Sequence, residues 1–349
     1  MAKIYHDGDA DLEILKERTI GVIGYGNQGR AQSLNMRDSG LRVTVGNRDD
    51  EYKDRAIQDG FDAQPIEAVA RASNVILMLI PDEVQPEVCE RQIRPHLRAG
   101  DALCFASGYN IHCRRIIPPK DVDVIMTAPR MIGQGVRNLY QQGAGFPCLI
   151  GVHQDASGRA LDLALALAKA IGATRLGAFH SSFEEETLID LFAEQMLWPG
   201  IIKLCTLYFE RLVENGCDPD IVATELHLSG EFVEVARAMI TEGFFKQLRL
   251  HSHTSQYGQL SRAERMAPKA LLRQIDKAME EIRSGAFARE WAAEQERGCP
   301  GLQGLTRKAL EHPLNAAEER LASLKDAMAR VYIHRGINNA TPRPRNRQY

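Results

Sequence analysis

Apolar and polar positions alternate in short blocks through the first half of the chain. Apolar runs at Thr19–Ile23, Leu41–Val45, Asn74–Ile80, Ala102–Ala106, Val122–Met126 and Pro147–Val152 end at Gly, Pro, Ser, Asp or similar turn residues. Runs of this length, rich in Val and Ile, predict strands. Helical patterns such as Gln28–Ser39 and Glu51–Gln58 lie between them. Strand and helix in alternation predict a parallel sheet covered on both faces. From about residue 182 the strand signals fade. Long helical patterns follow at Phe183–Asn215, Asp218–Glu242, Pro268–Ser284 and Ala316–Val331. The expected organisation is an α/β domain over 1–182 and an all-α domain over 183–330. A basic, Pro-broken tail over 331–349 is expected to be a mobile end.

Composition adds limits. The 349 residues suit two domains, given roughly 100–200 residues for each. Lys+Arg is 43 against 46 Asp+Glu, a net charge of −3, which excludes a strongly basic nucleic-acid binder and a polybasic membrane anchor. No apolar run approaches the roughly 18 residues of a membrane span. The polar start carries no signal-peptide apolar region, so the cytoplasm is the expected location. Seven scattered cysteines form no C-x-x-C pair and read as reduced, mostly buried thiols.

The first chemistry is a glycine turn. Gly24-Tyr25-Gly26-Asn27-Gln28-Gly29 follows a predicted strand directly and opens a predicted helix, the context that gives G-x-G-x-x-G its meaning. The first glycine permits the tight turn, the second lets the backbone approach a pyrophosphate, and the third lets helix and strand pack closely. The pyrophosphate would meet unpaired N–H groups at the helix N-terminus. After the second strand the chain reads Arg48-Asp49-Asp50-Glu51. A carboxylate there accepts from a ribose 2′-hydroxyl, whereas an arginine attracts a 2′-phosphate. Three acids against one arginine favour NAD(H) over NADP(H). The acids would also suit the start of the next helix.

The second feature is an acid stripe. Glu186, Asp190 and Glu194 recur every four residues on a helix that is apolar over most of its circumference. Stacked, part-buried carboxylates repel one another, and a hard cation such as Mg²⁺ would relieve them. Ion pairs with basic partners, or a solvated seam, would do so too.

These features occur within longer segments that resemble the ketol-acid reductoisomerases, or acetohydroxyacid isomeroreductases, of the short-chain class. The resemblance rests on Val22–Gly29, Asn35–Gly40, Ile80–Gln85, Gly108–His112, Pro118–Met126, Val152–Gly158, Asp190–Gln195 and Ser284–Trp291. It implies a Rossmann-type domain followed by a knotted all-α domain that interlocks with a second copy in a homodimer or a larger homo-oligomer. It implies a small-acid substrate. Two Mg²⁺ ions would assist a 1,2-alkyl shift in a 2-hydroxy-2-acyl acid, and a nicotinamide hydride would reduce the resulting 2-keto acid. It adds Pro81 and Asp82 to the cofactor site and Ser252 as the serine for the substrate carboxylate. Asp190 and Glu194 match the family's first pair of metal acids, and Glu194 would also serve catalysis.

The departures cluster at the chemistry. The family's Ala-His-Gly-Phe/Tyr-Asn reads Ala106–Asn110 with Ser107 in place of the histidine. Its Ala-Pro-Lys reads Ala128-Pro129-Arg130. Arginine keeps the charge but is a far poorer proton donor than lysine. Of the second acid pair, Glu225 fits, but Ser229 occupies the other place and Glu231 is only nearby. The expected function is therefore a nicotinamide-dependent reductase of this type with a changed substrate and a weakened alkyl shift, Ser107 and Arg130 binding a polar or anionic group. A genuine ketol-acid reductoisomerase and a non-catalytic nucleotide-binding protein are the alternatives. His112 reads as a packed histidine. Arg30 could approach a phosphate, and His251 and His253 could face substrate.

Overall fold

A computed structural model gives the fold of residues 1–338, so residues 339–349, most of the expected mobile tail, lie outside the described part. The chain divides into two compact units, with the boundary along the sequence between Asp190 and Leu191.

The first unit carries nine strands: β1 (Ile4–Tyr5), β2 (Ile20–Ile23), β3 (Val43–Gly46), β4 (Ala63–Gln64), β5 (Val75–Met78), β6 (Ala102–Phe105), β7 (Asp123–Pro129), β8 (Pro147–Gln154) and β9 (Gly177–His180). Its helices are α1 (Glu13–Lys16), α2 (Asn27–Asp38), α3 (Glu51–Gln58), α4 (Ile66–Ala72), α5 (Gln85–Val88), α6 (Tyr109–His112), α7 (Gly133–Gln141), α8 (Ala160–Ala170) and α9 (Phe183–Phe192), which runs just past the boundary. The sheet order is β1-β9-β8-β7-β6-β5-β2-β3-β4. Strands β2, β5 and β6 are buried at every position, as their unbroken apolar runs require in a sheet covered on both faces. One apolar cluster joins α8, α2 and the near faces of β2, β5 and β6, and a second fills the opposite side around α4, Phe105 and Phe183.

The sheet is parallel through β3, β2, β5, β6 and β7, and then departs from the all-parallel expectation. β8 runs antiparallel to β7, pairing Cys148 with Pro129, and β1 is antiparallel to β9. The reason is the path between the strands. α7 packs on α2 instead of crossing the sheet, so the chain re-enters beside the end it left and must run back.

The glycine turn follows β2. The chain order makes β3 its neighbour on one side and β5 on the other, so the turn lies at the point where the strand order reverses. In open α/β sheets that point, at the carboxyl ends of the strands, is where ligands bind. Pro81 and Asp82 follow β5, Ser107 follows β6 and Arg130 follows β7, all at the same carboxyl edge.

The second unit is helical: α10 (Trp198–Glu214), α11 (Pro219–Ala223), α12 (Glu231–Glu242), α13 (His253–Ala263), α14 (Lys269–Arg283), α15 (Ala286–Glu296), α16 (Pro300–Leu310), α17 (Pro313–Arg320) and α18 (Ala322–Asn338). Its own core is small, built on Phe209, Val222, Ala223, Leu228 and Ala317. Large side chains including Trp198, Ile202, Ile240, Phe244 and Phe245 are exposed. Among the described residues no helix is long and apolar enough to cross a membrane.

Candidate active site

The glycine turn has the shape a dinucleotide needs. Gly24 has φ +98°, and a Cβ there would lie 2.8 Å from the Leu79 carbonyl oxygen. A Cβ on Gly29 would lie 2.0 Å from the Gly24 carbonyl oxygen, so the first turn of α2 presses directly on the strand end. At Gly26 the same Cβ would meet nothing within 4 Å. Gly26 is also the N-cap of α2 and offers no capping side chain. The start of α2 thus has open space at Gly26 and no side-chain cap on its first N–H groups, which suits a pyrophosphate.

The other turn residues brace it. Tyr25 is buried, donates its backbone N–H to Asn47 Oδ1 at 3.2 Å and its hydroxyl to Asp59 at 2.9 Å. Arg30, a candidate phosphate contact in the sequence, instead grips Asp59 through Nε at 2.7 Å. Arg30 holds the Asp59 carboxyl below its ordinary range against the opposing effect of burial, with help from the Tyr25 hydroxyl. Gln28 donates to the Met131 carbonyl at 2.8 Å, and a Cβ on Gly133 would lie 1.9 Å from the Asn27 carbonyl oxygen. The segment after β7 is thus seated on the glycine turn.

Beyond β3, Asp50 caps α3, accepting from the Tyr52 and Lys53 N–H groups, and Arg48 is paired with it at 2.7 Å. Asp49 is paired with Lys53, and Glu51 begins α3 in solvent. Asn110 donates to the Asp82 carbonyl at 3.0 Å and to Gln85 at 3.0 Å, which ties the end of β5 to α6. The buried Asn110 Oδ1 finds no donor among the described residues.

The acid stripe meets the sheet here. α9 packs on Gly108, where a Cβ would lie 2.3 Å from the Phe183 carbonyl oxygen and 2.7 Å from Thr187 Oγ1. That approach lets the Gly108 N–H donate to Glu186 Oε2 at 2.6 Å. Arg130 donates through Nη1 to Glu186 Oε1 at 2.9 Å and through Nη2 to Asp190 Oδ1 at 2.5 Å. Glu186 is 1% exposed, and burial pushes its carboxyl up to about 7, with the Asp190 charge adding to that against the Gly108 N–H and Arg130. Burial alone would lower the Arg130 guanidinium, but Asp190 and Glu186 hold it above its ordinary value. Ser107 Oγ accepts from the Tyr109 N–H at 3.3 Å beside this pair's anchor.

The second unit places the remaining candidates as follows. Glu194 lies in a π-helical segment, Ala193–Leu197, that interrupts the run from α9 into α10. Glu225 lies in a second π-helical segment, Thr224–Leu228. Glu231 is the first residue of α12, set off from it by Gly230 at φ +80°, so the two glutamates do not share one helix. Ser252 caps α13 and accepts from the Ser255 N–H at 3.2 Å. His251 bonds Gln247, and His253 is exposed. Among the described residues, no group of three or more His, Cys, Asp and Glu is arranged to hold a metal ion. Both Glu186 oxygens and one Asp190 oxygen are already engaged, so the acid pair as arranged does not fit a divalent ion.

Residues 14–177 match the family described as "Acetohydroxy acid isomeroreductase, NADPH-binding domain", and residues 183–327 match "Ketol-acid reductoisomerase, C-terminal domain". The chain belongs to the ketol-acid reductoisomerase family. A ketol-acid reductoisomerase (NADP(+)) of Methanopyrus kandleri is 45% identical over 327 residues, covering 93% of this chain and 98% of that protein. One from Pyrobaculum calidifontis is 44% identical over 327 residues, covering 93% and 99%. The solved structure of an NADH-preferring ketol-acid reductoisomerase from an uncultured archean superposes with a TM-score of 0.88 at 37% identity, covering 92% of this chain and 99% of that one. A ketol-acid reductoisomerase-type NAD(P)H oxidoreductase, with a Rossmann-type domain and a helical domain, is therefore the frame for the site.

Two residues central to this geometry stand outside the candidate set read from the sequence: Gly133 and Asn47. Glu186 opens the i, i+4 acid series and was legible as part of it. Gly133 and Asn47 gave no local signal, because their roles depend on partners about a hundred and about twenty residues away.

Proposed function

We propose that this chain is a cytoplasmic homodimeric ketol-acid reductoisomerase acting on the family's 2-hydroxy-2-acyl acids and 2-keto acids. In this reading the reductive half is intact and the alkyl shift is the slow half. The observation that carries it is the carboxyl edge of the sheet, where an open glycine turn built for a dinucleotide adjoins Ser107, Glu186 and Arg130. The identity over nearly the whole length of the named relatives supports the family's own substrates.

A changed substrate held by Arg130, as the sequence suggested, draws no support from the guanidinium. It is turned onto Glu186 and Asp190.

The nicotinamide, when bound, supplies the hydride. The rest belongs to the chain. The N–H groups at the start of α2 hold the pyrophosphate, and Tyr25, Asn47 and Asp59 keep that turn rigid. Ser107 presents a hydroxyl at the edge where the substrate oxygens would lie, and the buried Glu186 ties the Gly108 N–H to Arg130. Arg130, always charged, holds the acid pair in place and donates no proton.

NADH is the proposed cofactor. Arg48, the residue that would draw a 2′-phosphate, has its charge balanced by Asp50, as Asp49 has by Lys53, while the exposed Glu51 at the start of α3 remains to accept from a 2′-hydroxyl. The dimer is supported by the exposed aromatic and aliphatic side chains of the second unit, Phe245 being 71% exposed in the single chain. Seven free cysteines support a reducing compartment.

The test is product analysis. Purified protein, Mg²⁺ and NADH should convert 2-acetolactate to the corresponding 2,3-dihydroxy acid, with NADPH less effective. Failure to form that product with either cofactor would contradict the reading.

A further inference from the structure

Arg130 faces inward, onto the protein's own acids. Its two terminal nitrogens bridge Glu186 Oε1 and Asp190 Oδ1, and the remaining Glu186 oxygen is taken by the Gly108 N–H. Three of the four oxygens of the pair are therefore engaged by donors of the chain. A guanidinium is suited to this because its planar fork presents a separate nitrogen to each of two carboxylates. The base of the side chain is also fixed. The Arg130 N–H donates to the Pro147 carbonyl at 2.8 Å, the next carbonyl, of Met131, accepts from Gln28, and Gly133 abuts Asn27. The backbone cannot carry the guanidinium away without disturbing the glycine turn.

We propose that Arg130 is a tethered cation: it occupies the cation position between Glu186 and Asp190 and competes with a divalent ion for the Asp190 carboxylate. Arg130 thereby acts as a positioning residue that sets metal affinity. It touches the two carboxylates and acts on the chemistry through them. The inference rests on the placement of the active site at this edge.

The physical consequence is competition. A divalent ion at Asp190 Oδ1 must break the charge-assisted hydrogen bond from Arg130 Nη2 and then lie beside a fixed positive charge. Removing the guanidinium removes both obstacles, so the affinity should rise by roughly tenfold or more, the ordinary size of a coupling between two sites.

The experiment measures Mn²⁺ binding directly, by the electron paramagnetic resonance signal of the free ion. It uses the full chain without cofactor or substrate. The wild type is compared with Arg130→Gln, Arg130→Lys and the double variant Arg130→Gln/Asp190→Asn, and circular dichroism reports folding. Arg130→Gln should bind Mn²⁺ at least about tenfold more tightly than the wild type, Arg130→Lys should fall between them, and the added Asp190→Asn should abolish the gain. If Arg130→Gln does not fold, Arg130→Lys carries the comparison. Equal affinity in wild type and variant would overturn the proposal, and so would a gain that survives Asp190→Asn. Neither result bears on the reductase reading, which product analysis with NADH judges separately. Binding in none of the proteins would overturn the proposal and the metal role of this helix together.

Discussion

Gly108→Ala tests how the acid pair is built. A Cβ at this position would lie 2.3 Å from the Phe183 carbonyl oxygen, where ordinary contact begins at 3.4 Å. The start of α9 would have to retreat by about 1 Å, or the backbone at Gly108 would have to tilt away by as much. Either movement stretches the 2.6 Å bond from the Gly108 N–H to Glu186 beyond hydrogen-bond range. Glu186 is fully buried, so the loss strands a polar group and costs about 1.5–3 kcal/mol. Overpacking adds about 1–3 kcal/mol, and because the two effects share one displacement they do not sum in full. A net loss of about 3 kcal/mol lowers the melting temperature of a unit of this size by roughly 6–12 °C. Differential scanning calorimetry of the full chain, with circular dichroism at 25 °C to check the native fold, gives the number. The glycine turn lies on another strand, so NADH should still bind. A melting temperature within about 2 °C of the wild type would refute the close seating of α9 on Gly108.

Gly133→Ala should act on the cofactor instead. The new methyl would strike the Asn27 carbonyl, and NADH affinity measured by fluorescence titration should fall by roughly tenfold or more. Asp59→Asn should remove an acid-sensitive component of stability. The folded pKa of Asp59 is depressed, so its contribution is present at neutral pH and is lost as pH falls through the ordinary carboxylate range and below. Urea titrations across that range should show the wild type losing more stability with acid than the variant. Asp50→Ala should cost about 1 kcal/mol through loss of the α3 cap and free Arg48, shifting steady-state preference toward NADPH by roughly tenfold.

Much of the first unit was legible because its strands are buried on both faces. Runs such as Asn74–Ile80 and Ala102–Ala106 announce themselves by composition alone, and β5 and β6 fall inside them. The two-residue strands β1 and β4 and the glycine-led β9 carry too few side chains to register. The reversal at β8 is set by α7 docking on α2, a tertiary event with no local mark. The helical half read as longer helices than it has. Phe183–Asn215 contains a π-helical interruption at Ala193–Leu197, and Asp218–Glu242 is broken at Gly230. Apolar periodicity continues across both breaks. At the site, the glycine turn was readable because strand, turn and helix are contiguous. The partnership of Arg130 with Glu186 and Asp190 was not, since it joins positions 56 and 60 residues apart, and substitution of a lysine by an arginine says nothing about which way the side chain turns.

The central claim is a ketol-acid reductoisomerase whose reductive chemistry outruns its isomerising chemistry. Its most direct test compares two substrates under one condition: Mg²⁺, saturating NADH, and either 2-acetolactate or 3-hydroxy-3-methyl-2-oxobutanoate, the keto acid that a methyl shift in acetolactate would form. NADH oxidation should be at least about tenfold faster with the preformed keto acid, an excess barrier of one decade on the alkyl shift. Equal rates with the two substrates, or no reduction of the keto acid, would contradict the account.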